Sequence, residues 1–125
     1  MPTTRNDGGR EIEALRRQYL EGLDSLKTKY HQARQALDDA AAALTQVRDH
    51  IEQGGLVSDF AVVLDPKSLR ASMSTSLDEL ERTRHHVQRL LFRILEAEGQ
   101  RKSDIARTWG ISRQLVSRMI HEPDK

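Results

Sequence analysis

The chain has no cysteine. That absence excludes disulfides, thiolate metal sites and a cysteine nucleophile, and nothing here calls for an oxidising compartment. Aromatic residues are almost as scarce at 4%, and there are only three prolines and seven glycines, gathered in a few places. Such a composition leans away from sandwiches and barrels and towards long amphipathic helices. Long apolar runs are missing too. The amino end, MPTTRNDGGR, is polar and leads into no continuous apolar stretch, so neither a secretory signal nor a membrane span is expected and a cytoplasmic protein is. No serine, histidine and carboxylate form a recognisable nucleophile motif, and no glycine-rich phosphate loop follows a strand. The expectation is a protein that is not an enzyme and holds no cofactor.

What the 125 residues do contain is charge, at 31%, beside 37% hydrophobic residues. This suits one small domain, or a small domain on an extended helical stalk, and cannot build a deep core. The net charge of +1 hides an asymmetry. From Arg82 to His121 nine Lys or Arg stand against three acids, a local balance of +6 that leaves −5 elsewhere. Positive charge gathers where attraction to phosphates would be useful.

Residues 1–10 have almost nothing apolar to bury and are expected to be a disordered tail. From about Glu11 to Gln53 apolar residues recur in steps of three and four: Ile12, Leu15, Tyr19, Leu23, Leu26, Tyr30, Ala33, Leu37, Ala40, Leu44, Val47 and Ile51. This is a heptad seam with one stutter between Tyr19 and Leu23, and it predicts a long helix that needs a long partner. Gly54-Gly55 should end it, since glycine takes the left-handed conformation of a carboxy-terminal cap. The apolar stretch 56–64, within a turn and connector region at 54–65, reads as a packed connector or a short strand. Asp65-Pro66 then reads as a helix start, with aspartate capping free amides and proline preset at the first position. The second helix should run to about Glu98 along Leu69, Met73, Leu77, Leu80, Val87, Leu91 and Ile94. An antiparallel hairpin, an intermolecular coiled coil, or both in a four-helix dimer would satisfy this region, residues 11–85.

After Gly99-Gln100 the periodicity gives way to a more particular pattern, KSDIARTWGISRQLVSRMI over Lys102 to Ile120. Two helices crossing steeply within a short turn need a small residue where their backbones meet, which is Ala106. The turn needs a residue with positive φ, which is Gly110. Ile105, Trp109, Ile111, Val116 and Met119 are then expected to face inward against Leu90, Leu91, Ile94 and Leu95, giving helices near 86–98, 103–109 and 112–121. Ser112 can cap the last helix and leaves Arg113, Gln114, Ser117 and Arg118 on its outer face. Arginine can donate two hydrogen bonds to guanine and glutamine can pair with adenine. Lys102, Ser103, Arg107 and Ser112 are placed to grip phosphates. Leu115 is expected to touch a thymine methyl or to cover the edge of the core.

These residues resemble the helix-turn-helix superfamily, in the three-helix version found in site-specific recombinases and many bacterial repressors. The resemblance covers Lys102 to Ile120 with the helix before it, within residues 86–125, and departs from the usual pattern in placing Trp109 where a leucine is common. It implies an all-α fold, a helical hairpin or coiled-coil stalk followed by a carboxy-terminal helix-turn-helix that binds double-stranded DNA. Two such modules in a homodimer, held through the stalk, could read paired half-sites. The expected function is sequence-specific DNA binding, most simply transcriptional regulation. An accessory role in partition, recombination or nucleoid organisation uses the same module, and a coiled-coil adaptor whose small domain contacts protein is the reading from another class. His85-His86 with Glu81 one turn earlier share a helix face, but one helix offers too few ligands and no metal site is expected.

Overall fold

The computed structural model describes the backbone of residues 2–123 and the side chains from Gly8 onward. Helix α1 spans Pro2–Glu52; a 3-10 turn at Val57–Asp59 leads into the short α2 (Phe60–Val63); α3 (Pro66–Ala97), α4 (Lys102–Trp109) and α5 (Arg113–His121) follow. Among the described residues there is no strand, so the fold is all-α and the apolar stretch 56–64 is a helical connector. No described helix is long and apolar enough to cross a membrane.

Helical backbone starts at Pro2, which corrects the expectation of disorder over residues 1–10. Proline suits a first helical position because its missing N–H has no partner there anyway. Lengthening an existing helix also adds a hydrogen bond per residue without a new nucleus. At Gly8 and Gly9 an added Cβ would touch no atom. Met1 lies outside the described residues.

The chain divides into two compact units, one formed by Met1–Ser25 with Thr83–Lys125 and the other by Leu26–Arg82. The unit that holds Thr83–Lys125 also takes in Met1–Ser25, of which residues 11–25 were expected to belong to the helical region and 1–10 to a tail.

In the unit Leu26–Arg82, α1 closes at Gly54, whose φ is 94°. The Gly54 N–H bonds to the Ile51 carbonyl and the Gly55 N–H to that of His50, which satisfies two carbonyls of the last turn. The His50 ring lies so close to Gly55 that a Cβ there would fall within it, and its Nε2 is 3.0 Å from Asp59 Oδ2. That carboxylate also accepts the Leu56 N–H at 3.1 Å. The bond to His50 and then the Leu56 amide hold the Asp59 carboxyl below its ordinary value. Asp65 caps α3 as its position before proline predicts: it accepts the N–H groups of Lys67 and Ser68, and the Ser68 hydroxyl at 2.8 Å. Lys29 of α1 meets Glu79 of α3 at 3.1 Å.

The covered face of α1 in this unit differs from the expected seam. Its least exposed positions are Leu26, Lys29, Ala33, Ala36, Ala40, Ala43, Val47 and His50. Tyr30, Leu37, Leu44 and Ile51 stand in solvent instead. Both columns repeat every seven residues, and alanines at 33, 36, 40 and 43 favour the first because small side chains let a neighbouring helix approach closely.

In the other unit α1 and α3 run antiparallel, since Arg16 pairs with Glu98 at 2.9 Å while Gly22 lies against Val87 and Leu90. A Cβ on Gly22 would come within 3.0 Å of Val87 Cγ2. Glycine inside a helix costs about 0.5–1 kcal/mol relative to alanine, so here it trades helix stability for close approach. The stutter read between Tyr19 and Leu23 is this position: Gly22 is buried and Leu23 is exposed.

Candidate nucleic-acid interface

Helices α4 and α5 are joined by Gly110, Ile111 and Ser112. Gly110 has φ 67°, its N–H bonds to the Arg107 carbonyl, and the Ile111 N–H bonds to that of Ala106 at 3.0 Å. The pair of bonds reverses the chain after the last turn of α4 and turns Ile111 back towards the core. Ser112, extended at φ −77° and ψ 152°, starts α5 by accepting the Leu115 N–H on its Oγ at 3.0 Å.

The core beneath these helices consists of Phe92, Ile105, Ala106, Val116, Met119 and Ile120, with Leu91, Leu95, Ile111 and Leu115 packed against it. Ile105, Ala106, Val116 and Met119 are thus where the sequence pattern predicts them. Phe92 and Ile120 were missed, although Phe92 is fully buried. Leu90, expected against the motif, instead faces Gly22 of α1. Leu115 covers the core edge. Trp109 departs from its expected inward place: it is 45% exposed and meets Phe92 edge-on, with ring centroids 5.7 Å apart at 71°. The indole therefore lies at the rim of the core beside Phe92.

The carboxy end of α5 is held by arginines that composition alone had counted as phosphate attractors. Arg89, 5% exposed, donates from Nε to the Met119 carbonyl at 3.1 Å and also donates to the Glu122 carbonyl. The same Nε is 3.0 Å from the Glu122 carboxylate. Arg93, one turn later, donates to the Ile120 carbonyl at 3.0 Å and to that of Glu122 at 3.0 Å. His85 Nε2 lies 2.8 Å from Glu122 Oε2. A helix leaves its last carbonyls without internal donors, and α5 has no glycine cap, because Glu122 is extended ahead of Pro123. The two guanidinium groups supply the missing donors and favour the negative end of the helix dipole. The signals for this in the sequence are a helix ending without glycine before proline, and two arginines four residues apart on the preceding helix.

Of the phosphate candidates, Lys102 is turned to Glu96 at 3.5 Å and is only one-quarter exposed. Arg107 is exposed beside Asp104 at 3.5 Å, and Ser103 is exposed in the first turn of α4. Asp104 also takes Arg101 at 3.3 Å. Ser112 spends its oxygen on the cap. Arg113, Gln114 and Arg118 are exposed on α5, and Ser117 is half-buried beside them. Among the described residues, the side chains of Arg113, Gln114 and Arg118 have no hydrogen-bond or ion-pair partner. Nor do the described residues include a group of three or more side chains able to hold a metal ion.

No known protein family, curated protein or solved structure matches the chain.

Proposed function

We propose that this chain is a dimeric, sequence-specific DNA-binding protein, most simply a transcriptional regulator, in which α4 and α5 act as a helix-turn-helix and α5 enters the major groove. The observation that carries the reading is a contrast among neighbouring cations. Arg89, Arg93 and Lys102 are occupied within the chain, whereas the side chains of Arg113 and Arg118, with Gln114 between them, project from α5 with no partner among the described residues. Unengaged arginine and glutamine on the first turns of one helix are the chemistry that reads guanine and adenine edges. The amides of that helix start add a preference for phosphate.

A single module makes few contacts, so two are needed for tight binding at paired half-sites. The test is retention on duplex DNA at low salt by the full chain and by Arg113→Ala and Arg118→Ala. Each substitution weakens retention if the reading holds. Unchanged behaviour of both variants would favour a protein-contact role for the same surface.

A further inference from the structure

Between Asp104 and Asp124 the chain carries three arginines, Arg107, Arg113 and Arg118, and a single acid, Glu122. Glu122 follows the last residue of α5 with φ −64° and ψ 131°. That φ is helical, and a residue's own φ sets where its Cβ stands on the helix before it, so only the chain beyond Glu122 turns away. The Cβ of Glu122 therefore continues the row of α5 that holds Arg118, one turn earlier. Side chains four residues apart on a helix are neighbours, and opposite charges at that spacing pair.

This pair does not form. Arg118 is exposed and has no hydrogen-bond or ion-pair partner among the described residues. The Glu122 carboxylate is turned the other way, with Oε2 2.8 Å from His85 Nε2 and 3.0 Å from Arg89 Nε, both on α3. The Arg89 Nε hydrogen also serves the Met119 carbonyl, so what Arg89 offers the carboxylate from that nitrogen is shared. An ionised carboxylate only accepts, so His85 Nε2 carries the hydrogen and donates it.

We propose that His85, together with Arg89, is a positioning residue for DNA binding: it draws Glu122 onto α3 and thereby leaves Arg118 free for the duplex. The role rests on the DNA-binding reading of α5. Released from α3, Glu122 reaches Arg118 by a change of side-chain rotamer alone. It then neutralises part of the charge that Arg118 brings to the duplex, and it places an acid beside the phosphates. Exposed pairs and screened repulsions are weak, so the expected effect is about two- to fourfold in duplex affinity.

The test measures dissociation constants of the full chain by fluorescence anisotropy, with a labelled mixed-sequence duplex at low salt. His85→Ala should weaken binding about two- to fourfold. His85→Gln, whose amide can still donate to the carboxylate, should bind like the unmodified chain. Glu122→Gln should bind at least as tightly as the unmodified chain, because a neutral amide neither holds Arg118 nor repels phosphate. His85→Ala with Glu122→Gln should return to the unmodified value. In the Arg118→Ala background, His85→Ala should lose most of its effect.

A purely structural role for the contact predicts the opposite sign at Glu122. Losing the bond to His85 would then loosen the end of α5, so Glu122→Gln would weaken binding and the double variant would be no better than His85→Ala. That result overturns the proposal, as does a His85→Ala chain that binds like the unmodified one. If the unmodified chain ignores the duplex, the DNA-binding reading fails and the role of His85 falls with it. If the unmodified chain binds and Glu122→Gln weakens it, only the role of His85 fails.

Discussion

Arg89 of α3 donates its Nε hydrogen to the carbonyl of Met119 in the last turn of α5 at 3.1 Å. One buried cation thereby fixes where α5 ends and ties it to the helix beneath.

Replacing Arg89 by methionine keeps much of the stem but leaves the Met119 and Glu122 carbonyls without this donor. Truncating one partner of a buried charged pair costs about 3–5 kcal/mol. Denaturant unfolding of Arg89→Met should show a loss of about 3 kcal/mol. Arg89→Lys should recover only part of it, because an ammonium cannot present the guanidinium fork.

The turn makes a smaller demand. Gly110 sits at φ 67° with nothing near its Cβ position, so Gly110→Ala meets backbone strain and no clash. The expected loss is about 1 kcal/mol, read as a lowered denaturation midpoint with an unchanged slope. At Gly22 the balance reverses: the backbone is ordinary helix and the neighbour is close. Gly22→Leu should destabilise by about 1–3 kcal/mol through overpacking against Val87, and Val87→Ala in the same chain should relieve part of that loss.

The corner between α1 and α3 carries the pH dependence. Asp59 and Asp65 both have folded pKa values lowered from 3.8, Asp59 chiefly by the bond to His50 and Asp65 chiefly by the Ser68 hydroxyl. A lowered folded value means that stabilisation is complete above the unfolded value and is lost as pH falls through the folded one. Melting of the chain should therefore weaken below about pH 4, and Asp65→Asn should reduce that acid sensitivity.

The helix ends were legible because their signals are local. Gly54, Gly99 and Gly110 each stand where a helix must close with positive φ, and Asp65-Pro66 marks a start that needs no tertiary information. The seam was legible only to within one column. Leucines and alanines of α1 share the same seven-residue repeat, and periodicity does not say which column the chain itself covers. Arg89 and Arg93 were misjudged for a similar reason, since the sign of a charge does not reveal whether a carbonyl or a phosphate will be its partner. Trp109 was placed inward by its hydrophobicity, and it lies partly exposed beside Phe92 instead.

For DNA binding the cations should separate by what they do. Arg118→Ala should cost about 1–3 kcal/mol at the base it reads and relax preference there. Arg107→Ala should weaken all sequences alike and lower the salt slope by about 1. Lys102→Ala should have less effect than Arg107→Ala, because Lys102 is turned to Glu96. Titrations of matched and scrambled duplexes over a range of salt measure all three.

The most direct measurement is selection of the full chain against a pool of random duplexes, followed by sequencing of the retained fraction. The proposed role of α5 requires an enriched motif, which should be altered by Arg118→Ala and should appear as paired half-sites if two modules act together. A pool that shows no enrichment, from a chain that does not retain duplex DNA even at low salt, would contradict it.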